Sequence, residues 1–399
     1  MEVPERPRWE TVIVRKAAEA LLPIYGITFV DVLGTMIMVP LLPYIAQHYG
    51  ANGLTVGLIL TTSAVASTVA APVWGSVSDR LGRKRIVLFS QMVSLAGYIA
   101  LATSSSLTML FVARAIAGIG GGNLGVTQSY IADVTSTDQR DRAYALFGAV
   151  FGLGIVLGPV IGGFVIRFGF GVPFAVAALI ELTTIVLTLR FLPDTPHGNA
   201  KTGLRAAALV VVRDARVRRL IVRHLLFIAS VTYFFTVFSL FLKRRLDVGP
   251  DVSSLLLAGA GAVGGITLIA LVGPLARRFG DGVVAQGGLA LLVVAYTALA
   301  YVHALWIFGA ALGLWAIGAA SVEPTLTTLL SENAPPDERG AIMGFNDAAS
   351  NLALIVAPVI GGEAIDVDPH LVGTLPALAV FVAFVLGLLR PRGERSPVS

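Results

Sequence analysis

Long apolar runs constrain this 399-residue chain more than any other feature of its sequence. Three of them, 21–47, 86–114 and 255–276, contain uncharged stretches close to or beyond the ~20 residues that cross a hydrocarbon core of about 30 Å. The chain is 56% hydrophobic and 13% charged, whereas a soluble domain has about 25% charged residues. The runs therefore predict an integral membrane protein.

Charged and turn-forming segments separate the apolar runs into twelve predicted membrane-spanning segments. We interpret them as helices, because a lipid-exposed backbone must satisfy its own hydrogen bonds and the runs are too long and too evenly apolar for barrel strands. The predicted spans, numbered 1 to 12 in chain order, are 19–47, 53–76, 86–105, 107–132, 141–166, 172–192, 224–245, 253–275, 283–303, 305–331, 340–365 and 370–390.

The long segment between spans 6 and 7 divides the chain into two halves. The predicted parts are an N-terminal segment 1–18, a six-helix bundle 19–192, a central loop 193–223, a second six-helix bundle 224–390 and a tail 391–399. If both termini lie on one side, the loops of that side hold 24 of the 29 Lys and Arg residues, and the opposite loops hold only four. The positive-inside rule then places both termini and the central loop in the cytoplasm, and predicts a multi-pass protein of the plasma (inner) membrane.

The two halves repeat each other. DQR at 138–140 recurs as DER, and PVIGG at 159–163 recurs unchanged, both 199 positions later. GSVSDRLG at 75–82 is echoed 198 positions later by GPLARRFG. Twelve spans in two homologous halves are typical of a transporter whose substrate site lies where the repeats meet, near the bilayer midplane.

Other classes of function find little support in the sequence. The chain has no cysteine, its five histidines are scattered without ligand spacing, and no lysine follows a glycine as a Walker A loop requires. The basic residues lie in loops, so nucleic acid is not an expected partner. We therefore expect no metal, no cofactor and no enzymatic activity, and the expected partners are a small-molecule substrate, protons and the lipid bilayer.

Four motifs carry a resemblance to a known family. GSVSDRLGRKR at 75–85 resembles the loop 2–3 motif of the major facilitator superfamily. DVLGTMIMVPLLP at 31–43, RAIAGIGGG at 114–122 and GIVLGPVIGG at 154–163 resemble the first-, fourth- and fifth-helix motifs of its drug/proton antiporters, and 130–152 is similar to tetracycline/proton antiporters. The resemblance implies an all-α integral membrane fold with twelve helices in two pseudo-symmetric six-helix bundles. It also implies drug efflux by alternating access. Nothing in the sequence demands an oligomer, so a monomer is expected.

The resemblance assigns the loop 2–3 motif to a conformational latch. It implies that Asp79 faces the start of span 11, where unpaired backbone N–H groups favour an anion, and that Arg83 approaches Asp133 at the end of span 4. The implied latch residues are Gly75, Asp79, Arg80, Gly82, Arg83 and Asp133. The alternative is that the basic residues of this loop only fix the topology.

Asp31 is an acid about midway along span 1, with Thr28 and Thr35 on the same helical face. An intramembrane acid costs roughly 2.5–3.5 kcal/mol on insertion scales and is a functional hypothesis by default. We predict proton coupling or substrate-cation binding at Asp31, with a structural hydrogen bond to a neighbouring helix as the alternative. The resemblance implies that Arg114 in span 4 influences the protonation of a nearby acid, with Asp31 the obvious candidate; the alternative is snorkelling to the outer surface.

Span 5 is rich in residues that change helix packing. Glycine lets helices approach closely, and a proline inside a helix removes one backbone hydrogen bond and kinks it. We therefore predict a conformational role, without ligand contact, for Gly154, Gly158, Pro159, Gly162 and Gly163.

The C-terminal half offers a second set of candidates. Glu323 in span 10 is the second candidate for proton or cation binding, with a capping or packing role beside a proline as the alternative. Asp347 and Asn351, together with Ser350, form a polar face on span 11 that is expected to line a cavity, although Asp347 alternatively belongs to the latch.

Aromatic residues are also candidates for the substrate cavity. Tyr233 and Phe234 on span 7 and Trp315 on span 10 could form a wall for apolar or cationic compounds. The alternative is that they only pack or face lipid. The resulting hypothesis is a proton-coupled antiporter that exports small amphipathic or cationic organic compounds. A metabolite importer, a narrow-specificity metabolite exporter and a membrane sensor without transport are the alternatives.

Overall fold

The computed structural model describes residues 8–121, 124–135, 137–193, 211, 214–335 and 338–389. Every regular element in these ranges is a helix. Twelve helical segments within them are long and apolar enough to cross a membrane, and they follow the order of the predicted spans. The all-α membrane fold that the apolar runs predict is therefore confirmed.

The helix bounds are as follows. The N-terminal half contains Arg8–Met38 and Leu42–His48 (span 1), Gly53–Leu81 (span 2), Arg83–Ala102 (span 3), Leu107–Gly121 and Leu124–Val134 (span 4), Thr137–Val165 (span 5) and Val172–Phe191 (span 6). The C-terminal half contains Ala215–Leu246 (span 7), Pro250–Thr267, Leu268–Val272 and Gly273–Phe279 (span 8), Asp281–Ala300 (span 9), Leu305–Asn333 (span 10), Arg339–Val367 (span 11) and Leu371–Leu388 (span 12).

Residue contacts divide the chain into two compact units. The first comprises Met1–Val39 and Val65–Ala200, and the second comprises Pro40–Ala64 and Lys201–Ser399. The second unit therefore includes the end of span 1 and the first part of span 2. A Cβ added to Gly53 would collide with the backbone of Gly362, and one added to Gly57 would collide with that of Pro358. This close approach to span 11 explains why the start of span 2 groups with the second unit.

The first unit has a core built from spans 1, 4, 5 and 6. Ile24, Tyr130 and Phe147 are buried there together with Tyr25. The hydroxyl of Tyr25 donates a hydrogen bond to the backbone oxygen of Ala143 at 3.0 Å, so the polar end of this buried ring is satisfied.

Small residues set the helix distances in the second unit. A Cβ on Gly288 of span 9 would lie 3.0 Å from the carbonyl oxygen of Gly318 of span 10, and a Cβ on Gly318 would lie 2.9 Å from that of Gly288. Gly373 of span 12 packs against the backbone of Tyr296 and Ala300 in the same way. Span 9 is thus held by close backbone contacts with both neighbours.

Spans 2 and 8 end in the same type of turn. Gly82 has φ of 94° and Gly280 has φ of 83°, a conformation that a residue with a side chain adopts only at a cost. Each glycine is followed directly by the next helix. The repeat between residues 75–82 and their counterparts 198 positions later is therefore present in the backbone. The two spans differ in one respect, because Leu268–Val272 of span 8 forms a π-helical turn.

Candidate functional site

The acid of span 1 has an acidic partner that the sequence analysis missed. The carboxyl group of Asp31 is hydrogen-bonded to that of Glu181 on span 6. Glu181 is only 1% exposed. Its Oε1 is buried and has no hydrogen-bond partner among the residues that the structure describes. An ionised carboxylate can only accept hydrogen bonds, so a bond between two carboxyl groups requires a proton on one of them.

Close packing of spans 1 and 6 brings the two acids together. A Cβ on Gly34 would lie 3.4 Å from Cγ2 of Ile180 and 3.7 Å from the carbonyl oxygen of Ala177. Gly34 lies three residues after Asp31, and Ala177 lies four residues before Glu181. Gly34 is therefore on the same helical face as Asp31, and Ala177 is on the same helical face as Glu181. The small residue at position 34 therefore gives the carboxyl pair its short separation.

Tyr98 of span 3 connects this pair to Arg114. The hydroxyl of Thr35 donates to the backbone oxygen of Asp31 at 3.1 Å, and it lies 3.2 Å from the hydroxyl of Tyr98. Since Thr35 has one proton to donate, it accepts the proton of Tyr98. Tyr98 is 4% exposed and interacts electrostatically with Arg114 and with both acids of the pair.

Arg114 is held next to Tyr98 by the packing of spans 3 and 4. A Cβ on Gly97 would lie 2.7 Å from Cα and Cβ of Ala117, so the two helices touch at this level. Nε of Arg114 is buried without a hydrogen-bond partner in the part of the chain that the structure describes. The predicted influence of Arg114 on the protonation of Asp31 stays a prediction. Thr28 donates to Ile24 of its own helix at 2.8 Å.

The glycines of span 5 pack on the side of span 1 opposite to the side that contacts span 6. A Cβ on Gly154 would lie 2.8 Å from Cγ1 of Val32, and a Cβ on Gly158 would lie 2.5 Å from Cβ of Met36. Val32 and Met36 each directly follow a residue of the Asp31 site. Pro159 lies inside the same helix, and it is buried along with Gly162 and Gly163. The motif therefore determines how closely span 5 approaches the helix that carries Asp31.

The loop 2–3 motif forms a compact charged turn. Nη1 of Arg83 lies 2.7 Å from Oδ1 of Asp79 and donates to the hydroxyl of Ser78 at 2.6 Å. Nζ of Lys84 donates to the backbone oxygen of Leu189 at 3.0 Å, close to the end of span 6.

Other members of the predicted latch are less constrained. Arg80 is exposed, a Cβ on Gly75 would meet nothing within 4 Å, and the side chain of Asp133 lies outside the described residues. The predicted contacts of Asp79 with span 11 and of Arg83 with Asp133 stay predictions.

The second unit contains its own polar cluster. Nε2 of His224 lies 3.3 Å from Oε2 of Glu323, and its Nδ1 lies 3.3 Å from the hydroxyl of Ser350. Asp347 interacts electrostatically with both His224 and Glu323 and is hydrogen-bonded to the side chain of Asn346. Sequence reasoning named Glu323 and Asp347 but missed His224. Asn351 is partly buried on the same helix.

The candidate aromatic residues lie in the interior of the second unit. Tyr233, Phe234 and Trp315 are all less than 9% exposed. Nε1 of Trp315 donates to the hydroxyl of Tyr296 at 2.8 Å, and the rings of Phe234 and Trp315 are 5.1 Å apart. The hydroxyl of Tyr233 donates to the backbone oxygen of Leu371 at 2.8 Å. These contacts are those of a packed core, and a role in substrate binding stays a prediction.

Twelve apolar helices, with a partly buried acid on span 1 against a buried acid on span 6, define a polytopic membrane transporter. The family model described as Major Facilitator Superfamily matches residues 24–358 and 224–399. The chain belongs to this superfamily, whose members move small molecules across membranes and are not enzymes.

Individual relatives agree with this assignment. The class H tetracycline resistance protein of Pasteurella multocida is 27% identical over 354 residues, which cover 86% of this chain and 88% of that protein. Multidrug resistance protein 1 of Bacillus subtilis (strain 168) is 25% identical over 370 residues, with coverage of 91% and 94%. These relatives are drug resistance proteins by name.

Solved structures show the same fold. The human organic anion transporter TETRAN has a TM-score of 0.70 at 22% identity, covering 93% of this chain and 99% of that one. The nucleoside transporter NupG has a TM-score of 0.78 at 13% identity, with coverage of 92% and 99%.

Proposed function

We propose that the protein is a proton-coupled antiporter that exports small amphipathic or cationic organic compounds by alternating access. The observation that carries the proposal is the hydrogen-bonded carboxyl pair of Asp31 and Glu181. Similarity to tetracycline and multidrug resistance proteins supports organic compounds as the substrate class. We place the protein in the inner membrane with both termini in the cytoplasm, on the charge distribution of its loops.

The carboxyl pair suggests which proton is exchanged. With one shared proton, the pair carries a single negative charge. A second proton neutralises the pair, whereas loss of both protons would leave two like charges in contact. The exchangeable proton in this proposal is therefore the second one.

The proposed coupling site needs no second subunit. Asp31, Tyr98, Arg114 and Glu181 all belong to the first unit of one chain. We therefore propose a monomer as the working form, with protons and one organic substrate as its transported partners.

Proton exchange in inverted membrane vesicles tests the proposal. The vesicles hold an acidic interior and a pH-sensitive dye, and they are challenged with lipophilic cations, tetracyclines and common metabolites. We expect compound-dependent proton efflux in the wild type and in Glu332→Gln, an exposed acid used as a control. We expect its loss in Asp31→Asn and in Glu181→Gln.

Other results would point elsewhere. Unchanged proton efflux in both Asp31→Asn and Glu181→Gln would refute the coupling site. Efflux driven by a single metabolite would indicate a narrow-specificity carrier, and accumulation of the compound by intact cells would indicate an importer.

A further inference from the structure

A buried histidine and two acids lie together in the second unit. His224 of span 7 is 5% exposed, whereas the side chain of Glu323 on span 10 is 49% exposed. Asp347 of span 11 interacts with both. The cluster thus has a buried base on one side and a solvent-accessible carboxylate on the other.

The hydrogen bonds around His224 differ between its protonated and neutral forms. The hydroxyl of Ser350 lies 3.0 Å from the backbone oxygen of Asn346 and 3.3 Å from Nδ1 of His224. A hydroxyl has one proton, so if Ser350 donates to Asn346, Nδ1 must donate to Ser350. The contact between Nε2 and Glu323 uses the second ring proton, and the whole set is therefore satisfied by a protonated imidazole. A neutral ring has a single N–H, so either Ser350 turns its proton towards Nδ1 and gives up Asn346, or Nε2 no longer donates to Glu323.

Asn346 supplies a second, independent observation. It is 2% exposed, and its Oδ1 is buried without a hydrogen-bond partner among the described residues. Its side chain contacts Asp347. An orphaned buried acceptor is costly, so an acceptor on a side chain that contacts the carboxylate of Asp347 points to a missing donor or cation.

The charged groups that face His224 come from two helices. Span 10 contributes Glu323 and span 11 contributes Asp347. Span 12 carries no titratable side chain between Leu371 and Leu388. The neighbouring Arg223 turns away, because it donates to the backbone oxygen of Ala383 at 3.1 Å and to Gln286 at 2.6 Å.

The helix Leu42–His48 of span 1 and the helix Pro250–Thr267 of span 8 also contact span 7, and their groups Tyr44 and Asp251 lie at its other end. The hydroxyl of Tyr44 donates to the backbone oxygen of Val248 at 2.9 Å, beyond the last residue of the span 7 helix. Asp251 follows three residues after Val248, in the first turn of span 8. The charge balance of the cluster is therefore set by His224 and the two acids.

We propose that Glu323 and Asp347 bind the positively charged group of an organic cation, and that His224 is an internal cation that competes with it. Protonated His224 pairs with Glu323 and weakens ligand binding. Neutral His224 leaves the carboxylates of Glu323 and Asp347 without an internal cation beside them. The inference rests on the proposed function for its substrate class, because it assigns cationic compounds a site of their own.

Binding of tetraphenylphosphonium to the purified full-length protein tests the inference, because the charge of this probe does not change with pH. Histidine changes charge between about pH 5 and 8, so we expect the Kd of the wild type to rise at least about fivefold from pH 8 to pH 5.5. His224→Gln should reduce this change to less than about twofold, whereas the control His370→Gln should behave like the wild type. Glu323→Gln should weaken binding at pH 8 by about tenfold.

A permanent cation at position 224 gives the opposite result. We expect His224→Lys to bind weakly at both pH values, whereas His224→Gln binds tightly at both. A variant that failed to fold would not bind tightly at low pH. Wild-type pH dependence in His224→Gln, unchanged affinity in Glu323→Gln, or no binding by the wild type at pH 8 would each overturn the inference.

The binding assay and the vesicle assay can refute the cation site and the proposed antiport separately. Binding in detergent needs no proton gradient. If binding responds as expected but no compound drives proton efflux, the proposed antiport is wrong and the cation site stands. If proton efflux depends on Asp31 but binding ignores His224 and Glu323, only the cation site is wrong.

Discussion

Arg244 and Asp366 form an ion pair of 2.7 Å between spans 7 and 11. The second oxygen of Asp366 accepts a hydrogen bond from the backbone N–H of Leu54 at 3.0 Å, in the first turn of span 2. Arg244 also donates to the backbone oxygen of Ile365 at 3.2 Å. One carboxylate therefore holds three helices of the second unit together.

Loss of this carboxylate should loosen the start of span 2. We expect Asp366→Ala to speed amide hydrogen exchange at Leu54 and its neighbours about fivefold, because a lost side-chain acceptor at a helix start costs about 1 kcal/mol. The exposed Glu363 lies on the same helix, and Glu363→Ala is the matched control. Equal exchange in the two variants would show that Asp366 does not hold this turn.

The carboxyl pair should respond to mutation as one unit. Asp31→Asn and Glu181→Gln each remove one partner of the shared proton, so the double variant should lose little more drug-driven proton efflux than either single variant. The measurement is the initial rate of efflux from inverted vesicles for all four proteins. Two losses that multiply would indicate that the acids act separately.

The span 5 glycines offer a test of helix packing. A Cβ at Gly158 meets the backbone and side chain of Met36, so Gly158→Ala should destabilise the protein by about 1–3 kcal/mol. Gly152 lies on the same helix with nothing within 4 Å of an added Cβ, and Gly152→Ala should stabilise the helix by up to about 1 kcal/mol. Thermal unfolding in detergent measures both, and equal melting temperatures would contradict the packing argument.

The buried hydrogen bond between Trp315 and Tyr296 should make the effect of mutating one residue on stability depend on the other. Tyr296→Phe leaves the indole N–H of Trp315 without its acceptor and should cost about 1–3 kcal/mol. Adding Trp315→Phe removes the orphaned donor, so the double variant should lose less than the sum of the two single losses. Tyr301→Phe, on an exposed tyrosine, is the control. Additive losses in melting temperature would mean that the bond contributes nothing of its own.

Sequence alone predicts the spans and Asp31 because both depend on local properties. A run of apolar residues determines whether a helix can cross a membrane, and an acid inside such a run stands out without knowledge of the fold. Glu181 satisfied the same criterion within span 6 and could have been found by it. The contact between Glu181 and Asp31 could not be predicted, since the two residues are 150 positions apart and meet only because spans 1 and 6 pack closely at Gly34.

His224 was missed for a different reason. The predicted span 7 starts at residue 224, which makes the histidine look like a residue of the loop boundary. The helix begins earlier, at Ala215, because Asp214 accepts hydrogen bonds from the backbone N–H groups of Arg216 and Val217 at 2.7 and 3.3 Å. His224 therefore lies well inside a helix, where its face is set by packing against spans 10 and 11.

The π turn of span 8 coincides with a one-residue difference in length between spans 2 and 8. Span 2 runs for 29 residues from Gly53 to Leu81, and span 8 runs for 30 from Pro250 to Phe279. A π turn accommodates a single inserted residue within an α-helix. Counterparts at the start of these helices are therefore 197 positions apart and those at the end are 198 apart. The π turn at Leu268–Val272 takes up this one-residue difference in length, so the glycine turns that end the two spans still correspond.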